Sequence, residues 1–166
     1  MKTIVIIPSR LAATRLPNKP LLKINGLSII SHVFKKAEQA DIGEVFVATE
    51  DQEIVDDVKI NGGQAILTSS SHRTGTDRIY EALKRLGRFD IDLVMNLQGD
   101  EPLIDIGDII NLRDQMIKNQ SKLGTLASKI NDHNLLNQQS IVKVVTDKNL
   151  EISKRFIAFC NIDFDR

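Results

Sequence analysis

Five residues near the start of the chain, Thr3-Ile4-Val5-Ile6-Ile7, are β-branched and almost wholly apolar, and they run straight into Pro8. A strand with one wet face would alternate apolar and polar residues. This run does not alternate, so it predicts a strand covered on both faces, as in a parallel sheet. Parallel neighbours need long crossovers, so helices should follow. Ile30, Val33, Phe34 and Ala37 recur at helical spacing behind Ser28, a candidate N-cap. Val45 to Ala48 reads as a second strand. Thr49 and Gln52 have capping-box spacing before a helix lined by Ile54, Val55 and Val58, which Gly62-Gly63 should end. Ala65 to Leu67 reads as a third strand. Thr74 and Asp77 again have capping-box spacing, before a stripe of Ile79, Ala82, Leu83 and Leu86. Ile91 to Leu97 reads as a fourth strand, and Ile106, Ile109, Ile110 and Ile117 mark another helix. Gly124 to Ser128 and Ile141 to Val145 read as later strands, with a polar loop, Asn131 to Ser140, between them. Strand and helix alternate throughout. The fold class expected is a doubly wound, mostly parallel α/β sheet, in a single domain over residues 1–166.

Charge and cysteine content narrow the function classes. Lysine plus arginine and aspartate plus glutamate both number 22, so the formal net charge is zero. Nucleic acid is not expected as a partner, because no broad basic surface can form. Any anion site must come from local placement of cations. The apolar run Ile4 to Ile7 is too short for a membrane span or a signal sequence, so no membrane partner is expected. A single cysteine, Cys160, excludes an intrachain disulfide and fits a reducing, cytoplasmic setting. A lone cysteine of this kind is read as a small apolar residue, not a nucleophile.

In open α/β sheets, ligands bind beyond the carboxyl ends of the strands. Three unusual segments fall there. The first, Pro8 to Lys19, carries Arg10, Arg15 and Lys19, and Pro17 and Pro20 stiffen its end. It has neither GxxxxGK[ST] nor GxGxxG. Three cations suit a triphosphate; a solvated surface loop is the plainer reading. The second, Ser71-His72-Arg73-Thr74-Gly75-Thr76-Asp77-Arg78, joins a helix N-terminus to a glycine that allows close backbone approach. Alone it also fits a polar loop with a helix cap, and His72 also fits an ordinary exposed loop histidine. The third, Gln98-Gly99-Asp100-Glu101-Pro102, sets two carboxylates just past a buried strand. A carboxylate there can hold Mg²⁺ together with substrate phosphates. Gly, Asp and Pro also suit a simple turn.

Taken in order, these segments resemble the CMP-Kdo synthetases, the 3-deoxy-manno-octulosonate (Kdo) cytidylyltransferase family. The opening stretch Ile7-Pro8-Ser9-Arg10, then Thr14-Arg15-Leu16-Pro17 and Lys19-Pro20-Leu21, is similar to the family's first signature. Ala48-Thr49-Glu50-Asp51 resembles its Ala-Thr-Asp pattern. His72 to Arg78 resembles His-x-Ser-Gly-Thr-(Asp/Glu)-Arg, with Thr74 in place of Ser. Asn96 to Pro102 matches Asn-x-Gln-Gly-Asp-Glu-Pro, and Val142 to Val145 matches a later strand.

The resemblance implies a Rossmann-like nucleotide-diphospho-sugar transferase fold. It implies transfer of CMP from CTP to Kdo for lipopolysaccharide biosynthesis, with Mg²⁺ as cofactor and a homodimer as the working state. By similarity, Arg10, Arg15 and Lys19 would hold the triphosphate. Pro8, Ser9, Thr74, Gly75 and Arg78 would surround the cytidine. Gln98 would face the nucleotide–sugar region, and Asp100 would bind Mg²⁺. Family members run longer than this chain, so the fold is expected to be incomplete at its C-terminal end. The family's second metal-binding aspartate and most of its dimer interface lie beyond the match. The tail also differs: Asn161 stands where the family has arginine, and Asp163 where it has proline. Two alternatives follow. One is a truncated remnant that at most binds CTP. The other is a related CMP-sugar synthetase acting on amino-Kdo or sialic acid.

Overall fold

The structure is a computed structural model that describes residues 1–12, 16–127, 130–132, 134, 138 and 157–158. Its centre is strand β1, Thr3–Ser9. On one side β1 pairs in parallel with β4 (Glu44–Thr49), and β4 in turn with β5 (Ala65–Leu67). On the other side β1 pairs in parallel with β6 (Leu93–Asn96). The order across the sheet is β5-β4-β1-β6. The chain therefore steps outward twice, then returns to the far side of β1.

The crossovers are α1 (Ile29–Gln39), α2 (Gln52–Ile60) and α3 (Gly75–Leu86); α4, Ile106–Lys118, follows β6. β1 shows why its run cannot alternate. Val5 and Ile7 join one buried cluster with Val33, Phe34, Ile54 and Ile109, from α1, α2 and α4. Ile4 and Ile6 join a second cluster with Phe46, Ile79 and Leu83, where α3 covers the opposite face. All four β1 residues are fully buried. Each is worth about 1.5–3 kcal/mol in transfer terms, so the run is a large share of what holds the sheet.

The observed elements differ from the expected ones in a few places. Between the first segment and α1 lie a 3-10 turn, Lys19–Leu21, and a small hairpin of β2 (Lys23–Ile24) and β3 (Leu27–Ser28). Asn25 and Gly26 make its turn, both at positive φ, 49° and 83°. Ser28 caps α1 as expected, its hydroxyl accepting from Ser31 N. Thr49 and Gln52 do not form a capping box. Asp51 is the N-cap residue of α2 and makes no side-chain cap bond. Its carboxylate is taken by the backbone N–H of Leu11 at 2.7 Å, and the Thr49 hydroxyl accepts from Asp51 N. α4 buries Ile109, Leu112 and Met116, while Ile106, Ile110 and Ile117 are only half-buried.

β7, Thr125–Leu126, pairs antiparallel with β8, Ile157–Ala158. The strand expected at Ile141 to Val145, most of the loop at Asn131 to Ser140, and Cys160, Asn161 and Asp163 lie outside the described residues. No helix among the described residues is long and apolar enough to cross a membrane.

Candidate active site

β1 is the point where the strand order reverses, so a crevice opens between its carboxyl end and that of β6. A cleft of about 350 Å³ occupies that place. All three unusual segments wall it. Pro8, Ser9, Arg10 and Lys19 come from the first, Thr74, Gly75 and Arg78 from the second, and Gln98 and Asp100 from the third. The structure thus brings together nine of the ten residues singled out from sequence; Arg15 lies outside the described residues. Glu101 is exposed and does not line the cleft.

Two glycines let the walls meet. A Cβ on Gly75 would stand 3.2 Å from Pro8 Cγ. A Cβ on Gly99 would stand 3.1 Å from both the Pro8 carbonyl oxygen and Ile30 Cδ1. Either methyl would crowd Pro8 in β1 and ask it to give by a few tenths of an ångström, so the segments pack at a spacing that suits glycine.

Each wall is tied down by its own contacts. In the first segment, the Asp51 carboxylate holds Leu11 N, and Asn18 N donates to Leu11 O at 3.3 Å. Pro20, in the 3-10 turn, is buried, and Lys19 beside it donates to Asp100 Oδ2 at 2.7 Å. A cation expected to meet phosphate and a carboxylate expected to meet metal therefore pair with each other. Both side chains remain partly exposed, so the pair is weak and exchangeable.

The second segment ends at Thr74, the N-cap of α3. Its hydroxyl accepts from Asp77 N at 3.1 Å and donates to Asp77 Oδ2 at 2.6 Å. Gly75, the first residue of α3, lines the cleft, and a helix N-terminus there favours an acceptor or an anion. Arg78 has a buried guanidinium, its side chain only 4% exposed. It donates to Thr68 Oγ1 at 2.7 Å and to Glu50. Arg78 thus fastens α3 to the ends of β4 and β5 while its surface lines the cleft. In the third segment, Gln98 Nε2 lies 3.4 Å from Asn96 Oδ1, a long contact that leaves its amide adaptable.

Four lining residues were not among the expected site residues: Pro20, His72, Arg73 and Gly99. Gly99 and Pro20 stood inside motifs already read. Arg73, one residue before a helix cap, adds a cation at the rim. His72 is held from behind by Glu81 of α3. Burial opposes ionisation of Glu81, but hydrogen bonds from His72, Ser69 N and Arg85 outweigh it. They hold its pKa at about 2, against an ordinary 4.5. The only local sign of Glu81 is its i,i+4 spacing to Arg85; its other partners, Ser69 and His72, lie on the loop before α3.

Among the described residues no cluster of three or more His, Cys, Asp or Glu could hold a metal alone. The donor set does fit Mg²⁺ shared with a ligand's phosphates. Asp100 offers one hard carboxylate at the mouth of a cation-lined cleft, and Mg²⁺ usually binds through one or two carboxylates plus phosphate oxygens.

A parallel α/β sheet with a cationic, acidic and helix-N-terminal cleft at its switch point has the layout of a nucleotidyltransferase, and comparison with known proteins agrees. Residues 4–160 match the family model described as cytidylyltransferase, and the chain belongs to that family. Within it, its similarity is to the 3-deoxy-manno-octulosonate cytidylyltransferases. The enzyme of that name from Nitrobacter winogradskyi is 46% identical over 147 residues, covering 87% of this chain and 57% of the relative. The second such enzyme of Actinobacillus pleuropneumoniae is 40% identical over 167 residues, covering 99% of this chain and 66% of the relative. This chain thus spans about three fifths of the length of such relatives. The solved structure of a CMP:2-keto-3-deoxy-manno-octonic acid synthetase complexed with CTP superposes with a TM-score of 0.82 at 35% identity, covering 100% of this chain and 67% of that one. A 4-diphosphocytidyl-2C-methyl-D-erythritol synthase, at 14% identity and a TM-score of 0.66, shares the fold.

Proposed function

We propose that this chain is the nucleotide-binding part of a cytidylyltransferase that joins CTP to Kdo, giving CMP-Kdo and diphosphate. The observation that carries the reading is the meeting of the three segments in one cleft at the switch point. The similarity to enzymes named for this reaction supports it.

In this reading the anomeric hydroxyl oxygen of Kdo bonds to the α-phosphorus of CTP and its proton passes to solvent. The bond from that phosphorus to the α,β-bridging oxygen breaks, and diphosphate leaves with the electron pair. Such a displacement needs alignment and charge neutralisation, not a protein nucleophile. Arg10 and Lys19, with Arg15, take the triphosphate and offset charge as diphosphate departs. Pro8, Ser9, Thr74 and Gly75 pack around the cytidine, Gly75 offering backbone where a side chain would block it. Arg78 acts through its bonds to Glu50 and Thr68, keeping that wall in place. Gln98 faces the nucleotide–sugar junction, where its loosely held amide can turn. Asp100 would hold Mg²⁺, which when bound supplies charge neutralisation at the phosphates. Lys19 must then release Asp100, exchanging a carboxylate for a phosphate oxygen.

The test is diphosphate release by the purified chain with CTP, Kdo and Mg²⁺, beside Asp100→Ala. The expected outcome is release that falls about 100-fold or more in the variant, the scale of losing a principal electrostatic group. Release unaffected by the substitution would remove Asp100 from the site. No release, with CTP still raising the melting temperature, would leave nucleotide binding as the function of this chain. Parallel assays with amino-Kdo and sialic acid would settle the sugar.

A further inference from the structure

The wall formed by Ser69 to Thr74 lies outside regular structure, and one side chain from α3 holds it at two points, Ser69 and His72. Glu81 accepts from Ser69 N at 2.9 Å, from Arg85 Nε at 2.6 Å, and pairs with His72 Nε2. Its side chain is 19% exposed and that of His72 18%, so both are largely shielded from water. An ionised carboxylate can only accept hydrogen bonds. His72 must therefore carry a proton on Nε2. In a neutral ring this leaves the lone pair on Nδ1. His72 itself lines the cleft, beside Thr74 and Gly75.

We propose that Glu81 is a positioning residue: it fixes the His72 ring as the Nε2–H tautomer, so that Nδ1 accepts a hydrogen bond from the nucleoside bound in the cleft. The donor is either the amino group of the base or the 2′-hydroxyl of the ribose. This inference rests on the nucleotide-binding reading above. It makes the carboxylate–imidazole pair a means of recognising the nucleoside, separate from the cations that meet phosphate. Arg85 and Ser69 N complete the carboxylate's coordination, so Glu81 needs no proton of its own.

The experiment measures CTP affinity of the purified chain by calorimetry for the wild type, Glu81→Gln, His72→Ala and the double variant. The ring tautomer is read by ¹⁵N NMR. Each single variant is expected to lose roughly 2- to 10-fold in affinity, the scale of one hydrogen bond. The double variant should lose no more than the weaker-binding single variant, because one interaction is removed either way. The wild-type ring should show the Nε2–H pattern, and Glu81→Gln should show a mixture. His72→Ala keeps every other Glu81 contact, so it reads the ligand contact even if Glu81→Gln unfolds the loop. UTP lacks the base amino group and 2′-deoxy-CTP lacks the hydroxyl. The analogue whose penalty disappears in His72→Ala identifies the donor.

Additive losses, an Nδ1–H ring in the wild type, or unchanged CTP affinity in His72→Ala would each overturn the proposal. So would both analogue penalties surviving in His72→Ala. A wild-type chain that binds no CTP would instead sink the nucleotide reading, and the NMR arm would still decide whether Glu81 sets the ring.

Discussion

Lys19 and Asp100 illustrate what a single residue's neighbours can change. Lys19 was expected to meet substrate phosphate and Asp100 to meet Mg²⁺, and in the folded chain they meet each other at 2.7 Å. Their pairing gives a prediction of opposite signs. Lys19→Met should weaken CTP binding while strengthening binding of Mn²⁺ alone, by about fivefold or less, since exposed pairs are worth up to about 1 kcal/mol. Titration of Mn²⁺ by EPR, with and without CTP, checks both. Metal affinity that falls or stays level would mean that Lys19 does not compete for Asp100. Arg78 is a different case. Its motif position suggested a nucleotide contact, but its guanidinium is buried against Glu50 and Thr68. Arg78→Ala would leave the shielded Glu50 without its cation, at a cost of about 3–5 kcal/mol. The expected result is a large drop in melting temperature, not a selective loss of CTP affinity. Sequence spacing could not reveal this, because Glu50 lies 28 residues away and reaches Arg78 only through the sheet.

At the scale of elements, caps and turns show how far local rules reach. Thr74 caps α3 as its spacing to Asp77 predicts. Thr49, at the same spacing from Gln52, does not cap α2, since it is the last, buried residue of β4 and the cap position falls two residues later. The difference is tertiary: Asp51 turns its carboxylate to Leu11 N, so the helix gives up a cap and the first segment gains an anchor. Asn25-Gly26 was legible as a hairpin turn in principle, but two strands of two residues each are too short to show an alternating pattern. α4 buries Ile109, Leu112 and Met116, so isoleucine count alone does not set the buried face. Thr74→Ala should cost about 1 kcal/mol through the lost cap. It should also weaken CTP binding, because Thr74 and Gly75 line the cleft. Denaturant melts and calorimetry on one sample separate the two effects; a stability loss with unchanged affinity would detach the cap from the site.

For the whole molecule, the fold was the most legible part. A five-residue run without alternation already implied two covering layers, and β1 indeed divides its side chains between two cores. Ile6 belongs to the core beneath α3 and is fully buried. Ile6→Ala should cost about 2–5 kcal/mol, read as a shift in the denaturation midpoint. A cost below about 1 kcal/mol would mean that this face can collapse around the gap. The gathering of the three segments was legible too, since each followed a predicted strand. The strand order was not, because no local pattern says which neighbour β6 will choose.

That order has a consequence for how the cleft can vary. At Gly75 and Gly99 the second and third segments both pack closely against Pro8. A single added carbon at either position would press on Pro8 and so disturb how the walls of the cleft meet. Variation at those two positions therefore disturbs the joint between the walls themselves, whereas side chains on the rim can change while that joint stays as it is.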